Sequence, residues 1–444
     1  MKNKITFTLL CFGILLADKC LSQFGPQNVV DTTISTISEI ITCDVNNDSR
    51  QDIVVSRAPG SNDKIAFYLN QGNGTFGSQQ IAASNLNLVR TLASGDFDGD
   101  GWEDIVTGSG FSIYIIMNNA GTYMPMVHID SLQGPIDFKV ADIDNDNDLD
   151  ILVAGDLELK VLYNDGAANF TSQTVASPIT ENYALCLKDL NGDSFKEAIV
   201  GGVTTLIYQN NNGVLSFDSL GTASINNFGL VFLVHSEDFD GDGSNDLLIG
   251  GDNHSDLRWY KNNGSGIFSL QQIVDTIGTC HSVRSHDFDL DGDNDILIPL
   301  EQAGEIVWYE NSGSGVFLQK NVIHVGNSGS TKVVHSEDLN NDNRFDVIWS
   351  SRLSFHLNNF VTSISTNSPT DLIHLYPNPF QNSIYIDSNE SGTLSITDLS
   401  GNIMKSEYKL EIGLNHLPLN LTKGCYIIHI KTEKINTYNK IIKL

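Results

Sequence analysis

Carboxylates recur along this chain at a spacing that suits a hard cation. The unit is a nine-residue segment whose positions 1, 3, 5 and 9 are Asp, Asn or, once, Glu. The first three copies place Asp44, Asn46, Asp48 and Asp52; Asp96, Asp98, Asp100 and Asp104; and Asp142, Asp144, Asp146 and Asp150 at these positions. The fourth supplies Asp189, Asn191, Asp193 and Glu197, and the fifth Asp238, Asp240, Asp242 and Asp246. The last two supply Asp287, Asp289, Asp291 and Asp295, then Asp338, Asn340, Asp342 and Asp346. Alternating carboxylates on a tight loop converge on one point, and Ca2+ accepts about six to eight oxygens in flexible geometry, whereas Mg2+ demands a stiff octahedron. Position 6 is always Gly, Asn or Ser, which suits a sharp turn. Position 7 varies freely, as expected of a residue that offers only its backbone carbonyl. Asp and Asn also favour turns without any ion, but seven copies in one register argue for a shared ligand.

The charge balance agrees. Acids outnumber bases 54 to 25, for a formal net charge of −29. That excess excludes nucleic acid as a partner, because phosphate binding needs a surplus of Lys and Arg. It also repels itself in a compact fold. Positions 1, 3, 5 and 9 of the seven loops hold 25 of the carboxylates, and seven Ca2+ would offset roughly half of the net charge. With a Kd of about 10^-4 to 10^-3 M and about 1 mM calcium, each site contributes about 0.4–1.4 kcal/mol. The sequence therefore predicts up to seven structural calcium ions.

Strands must hold these loops. The first and last loops start 294 residues apart over six intervals, a mean of 49. Each loop runs into a short apolar stretch such as Ile53-Val-Val or Leu247-Leu-Ile. A second run ends in an aromatic residue and Asn, as in Trp308-Tyr-Glu-Asn311, before a Gly-rich turn closing on an aromatic. Four short strands per repeat of this length is the signature of a propeller blade. The expected fold is all-β: a seven-bladed β-propeller over residues 24–360, followed by a small C-terminal β-sandwich. The seventh repeat stops before its outer strand, and residues 24–31 have the character of that missing strand. They are expected to close the ring and remove its open edges.

No catalytic constellation is apparent: there is no nucleophile elbow and no His-Glu-x-x-His. Gly72-Asn-Gly-Thr-Phe-Gly77 mimics a dinucleotide fingerprint but lies in a repeated hairpin turn without βαβ context. Cys43, Cys186, Cys280 and Cys425 match no zinc or redox spacing and are expected to be buried small residues. Residues three and one before each loop share a face of the innermost strand. In the last three repeats they are His235 and Glu237, Arg284 and His286, and His335 and Glu337. These six form the candidate ligand-binding patch on the channel wall, with solvated wall residues as the alternative.

Residues 1–23 carry the marks of a signal peptide: Lys2 and Lys4, an apolar run over 5–17 too short to span a bilayer, and a small, polar end. Residues 361–370 are rich in Ser, Thr and Asn and are expected to be a linker. Short alternating strands follow, including Ser383-Ile-Tyr-Ile-Asp387 and Tyr426-Ile-Ile-His-Ile430.

Two family resemblances add to this. Repeats of Asp-x-Asp-x-Asp-Gly-x-x-Asp before an apolar strand resemble the FG-GAP/VCBS repeats of integrin α-subunit propellers and their bacterial relatives, across about residues 24–360. That likeness implies calcium in blade-edge loops and leaves the ligand open. Leu375-Tyr-Pro-Asn-Pro379, Asp398-Leu-Ser-Gly401, Gly424-Cys-Tyr426 and Lys440-Ile-Ile-Lys-Leu444 resemble the sorting domain of type IX-secreted proteins of Bacteroidetes, here residues 371–444. It implies passage through the type IX secretion machinery, then release or attachment at the outer surface. The chain is thus expected to be a secreted or surface-attached monomer without a transmembrane segment. Its expected role is a non-enzymatic binding or adhesion module for an extracellular glycan or protein; a lyase-like enzyme acting on polysaccharide and a purely structural coat protein are the alternatives.

Overall fold

The computed structural model describes residues 23–34, 36–57, 63–176, 182–219, 221, 225, 230–251, 256–276, 280–327 and 332–359, and in the C-terminal part 373–376, 383–388, 390–398, 403–422, 424–432 and 436–443. The expected signal peptide, apart from its last residue, and the expected linker lie outside them. The chain divides into two compact units, Met1–Asn359 and Phe360–Leu444.

The first unit is built from seven four-stranded antiparallel sheets in chain order. The first runs Ile37–Cys43, Asp52–Arg57, Asp63–Tyr68 and Gln80–Leu86, each strand paired with the next. Its innermost strand contacts those of the second and seventh sheets. Every acidic loop joins the first and second strands of its sheet. After the position-9 acid the second strands are mainly apolar and buried along nearly their whole length, as in Asp150–Ala154 and Asp295–Leu300. A strand packed on both faces loses the usual alternation of apolar and polar residues.

Seven apolar clusters fill the gaps between neighbouring sheets. Cys43, Val45, Val54 and Ile65 meet Leu92, Ile105 and Ile116 between sheets one and two. Ile34, Ile37, Ile40 and Ile53 meet Leu339, Ile348 and Phe355 between sheets one and seven, which completes the ring. The seventh sheet takes its outer strand from the N-terminal end: Asn28 and Val29 pair with Phe355 and Ser354, and Phe24 bridges to Asn358. The segment expected to close the ring does so through backbone hydrogen bonds.

The second unit has two antiparallel sheets. One contains Ile373–Tyr376, Ser383–Ser388 and Gly413–Pro418; the other contains Ile403–Leu410, Gly392–Asp398, Gly424–Thr432 and Asn436–Lys443. They share one apolar core, with Ile384, Ile386 and Leu417 from the first sheet against Leu394, Ile396, Ile428 and Ile430 from the second.

Candidate functional site

Each acidic loop folds on its own backbone. The position-1 carboxylate accepts the amide hydrogens of the turn it spans: Asp96 takes those of Asp100 and Gly101, at 3.1 and 2.9 Å. The position-5 carboxylate accepts the position-7 amide, as Asp100 does from Trp102 at 2.9 Å. Position 6 has positive φ in all seven loops, from Asn343 at 61° to Gly292 at 101°, as its composition implied. Position 4 does too, which position 6 alone did not foretell: it is Asn or Gly in six loops and Leu290, at φ 58°, in the sixth. Turns at both positions aim the odd-numbered side chains inward.

Position 9 plays a different part from the others. Asp52, Asp104, Asp150, Glu197, Asp246, Asp295 and Asp346 are all fully buried. One oxygen of each accepts the position-2 amide of its own loop, at 2.8–3.3 Å. The other accepts the amide of an Asn at or just beyond the end of the third strand: Asn70, Asn118, Asn164, Asn210, Asn262, Asn311 or Asn358. Burial is the main cause of their raised pKa values, about 6 for Asp52, Asp104, Asp150 and Asp246, about 7 for Glu197 and Asp346, and about 9 for Asp295.

The same seven Asn side chains join the blades. Each Nδ2 donates to the position-2 carbonyl in the preceding sheet's loop, at 2.7–2.9 Å. The bond from Asn70 to Leu339 O crosses the closure. The Asn was visible in the sequence after the aromatic residue of each repeat, but its partner lies in another repeat.

Four loops bring three carboxylates together so that one oxygen of each lies within 4.8 Å of the others: Asp96, Asp98 and Asp104; Asp142, Asp144 and Asp146; Asp238, Asp240 and Asp246; and Asp287, Asp289 and Asp291. These are the four loops with a carboxylate at every candidate position. Oδ1 of Asp144 and of Asp240 is buried without a hydrogen-bond partner, and such an atom is costly unless something positive meets it. These residues fit a hard cation. In the loops with Asn at position 3 the amide turns its nitrogen inward instead: Asn46 and Asn340 donate to Asp48 and Asp342 at 3.2 Å, and Asn191 donates to Glu197 at 3.3 Å.

The channel end away from the acidic loops holds a cavity of about 360 Å3. Its wall includes Glu39, Arg90, Asp137, Lys139, His235, His281 and Arg284. Lys139 pairs with Asp137 at 2.8 Å, and Arg284 lies 4.0 Å from Glu39. Burial pushes the Glu39 carboxyl up to about 7, against the pull of Arg284. Of the six residues proposed for a ligand, His235 and Arg284 line this cavity.

The other four are not among the cavity's lining residues and make contacts between sheets. His335 meets Thr42 Oγ1 at 2.9 Å and accepts from Arg284 Nε at 3.2 Å. Glu337 accepts from Thr42 at 3.1 Å, and Glu237 pairs with Lys188 at 3.0 Å. His286 stacks on Phe345, with ring centroids 3.6 Å apart. Burial holds His235 near 3 and His286 near 4, and His335 well below its usual value, so all three are neutral. Asp137 and Lys139 fall outside the candidate patch, which holds positions −3 and −1 of the last three repeats alone. Lys139 sits at −3 of the third loop, and Glu39 and Asp137 sit at −5 on the same strand face.

A ring of four-stranded sheets with acidic hairpin loops on one side defines a β-propeller of the extracellular repeat type. The FG-GAP-like repeat family matches residues 44–107, 142–200, 238–298 and 287–349, more than half of the chain, and this protein belongs to it. Residues 374–444 match the secretion system C-terminal sorting domain. The protein is therefore exported through the type IX machinery, which its tail must engage, and is destined for the outside of the cell or its surface. No curated protein matches the chain. Among solved structures, a lectin of Agrocybe aegerita that recognises non-reducing terminal N-acetylglucosamine is similar at a TM-score of 0.50 and 19% identity, over 65% of this chain and 80% of that one. BBS1N, solved in complex with ARL6DN, is similar at a TM-score of 0.51 and 14% identity, over 75% and 95%. At these identities the likeness defines the fold. No helix among the described residues is long and apolar enough to cross a membrane.

Proposed function

We propose that this protein is a non-catalytic binding module whose acidic loops hold structural calcium and whose channel cavity receives an extracellular glycan. The observation that carries the reading is the cavity itself. At about 360 Å3 it is of ligand size, and it gathers charged and hydrogen-bonding groups from several sheets. Arg284, the neutral His235 and the Asp137–Lys139 pair offer both donors and acceptors, as sugar hydroxyls require. The lectin relative makes glycans the first class to test, with an extracellular protein the second.

The test is a glycan array on the mature chain, followed by titration of each hit against Arg284→Ala and His235→Ala. Loss of a buried polar contact weakens binding by about tenfold or more. Undiminished binding by both variants removes the cavity as the site. One observation favours a second reading. A carboxyl held near pH 7 beside a second carboxylate suits proton transfer, and Glu39 with Asp137 has that form. Polysaccharide turnover that disappears in Glu39→Gln would decide for a lyase-like enzyme.

A further inference from the structure

We infer that the two acidic loops flanking the ring closure are neutralised by arginine in place of a cation, so that the closure does not depend on calcium. The inference rests on the calcium reading of the remaining loops. The first and seventh loops belong to the sheets that meet where the chain closes on itself. Both carry Arg at position 7, Arg50 and Arg344; the other five loops have Trp, Asp, Phe, Ser and Asp there. Both carry Asn at position 3.

The geometry repeats in the two loops. Arg50 Nη1 lies 2.9 Å from Asp48 Oδ2, and Arg344 Nη1 lies 3.0 Å from Asp342 Oδ2. The same oxygens accept the Asn46 and Asn340 amides at 3.2 Å. A position-5 oxygen that would face a cation thus already has a guanidinium and an amide donor. Arg50 also reaches Asn70 O at 3.4 Å, tying the loop to the residue that bonds across the closure. Three carboxylates and one guanidinium leave a formal charge of −2, against at least −4 in the second, third and sixth loops. A dication placed there gains less attraction and meets a like charge a few ångströms away.

The fifth loop shows the contrast. Lys261 reaches Asp240 and Asp242, but it comes from the third strand on a flexible stem. That loop keeps four carboxylates, and Asp240 Oδ1 has no hydrogen-bond partner. The lysine leaves room for a cation; the arginines replace one. The closing strand, Asn28–Val29, has only two residues, so a cation-independent clamp stands where the ring's ladder is shortest.

The experiment counts calcium bound per mature chain by equilibrium dialysis with elemental analysis. The wild type is expected to bind at most five ions. Arg50→Gln and Arg344→Gln should each add one, and Lys261→Gln none. Asp48→Asn and Asp342→Asn keep the wild-type count, and they serve if the arginine variants fail to fold. A wild-type count of six or seven, an unchanged count in folded Arg50→Gln/Arg344→Gln, or a loss of one ion in either aspartate variant overturns the proposal. A count of zero overturns the calcium reading with it.

Discussion

Replacing Asn262 tests the bonds that hold neighbouring blades together. Its side chain is fully buried. Nδ2 donates to Leu190 O in the preceding sheet's loop at 2.7 Å and to Asn245 O at 2.9 Å, and Oδ1 accepts from Gly264 and Gly266, both at 3.1 Å. Asn262→Ala strands two carbonyls, at least one of them deep between sheets, and a stranded buried acceptor costs about 1–3 kcal/mol. The expected loss is about 2–4 kcal/mol, a large part of a typical folding free energy of about 5–15 kcal/mol. Asn262→Asp keeps the shape but aims a carboxylate at two carbonyl oxygens, and an unpaired buried charge costs about 3–5 kcal/mol. The order of stability is therefore wild type, then Ala, then Asp. Ser265→Ala, on the exposed part of the same turn, should fall within about 0.5 kcal/mol of wild type. Guanidinium unfolding of the mature chain in excess calcium, followed by far-UV circular dichroism, measures all four proteins. An aspartate variant as stable as the alanine variant, or an alanine loss below about 1 kcal/mol, would refute the argument.

Further outcomes can be checked in the same way. Chelation with EDTA should lower the melting temperature, and the chelated protein should be more stable at pH 5 than at pH 8. The buried position-9 carboxylates have raised pKa values of about 6 to 9, so in the folded state they favour their protonated form and lose stability as pH rises through that range. Excess calcium should close the gap; a melt insensitive to both EDTA and pH counts against the reading. Leu290 sits at φ 58° and is 41% exposed, so Leu290→Gly or Leu290→Asn should raise the unfolding free energy by about 1 kcal/mol, with no gain if the left-handed backbone is not strained. Deleting residues 371–444 should strand the propeller in the periplasm, as fractionation and immunoblotting will show; normal export would deny the tail its sorting role.

The acidic loops, their register and the strands that carry them were legible in the sequence because they are local. Alternating carboxylates, turn residues at position 6 and a following apolar run express the conformational preferences of consecutive residues. The N-terminal closing strand was legible too, since one repeat lacked an outer strand and residues 24–31 had its character. Which carboxylate does what was not. Position 9 looks like positions 1, 3 and 5 in the sequence, yet only the packed sheets bury it and set it between the loop amide and the Asn amide. The channel showed the same limit. Position −3 of repeats five and six put His235 and Arg284 on the cavity wall, but Glu39, Asp137 and Lys139 join them only because the ring brings other sheets to the same opening. Spacing along the chain determines what a loop can bind. Which charges face one another across a channel depends on contacts between residues hundreds of positions apart, and only the closed ring sets those distances.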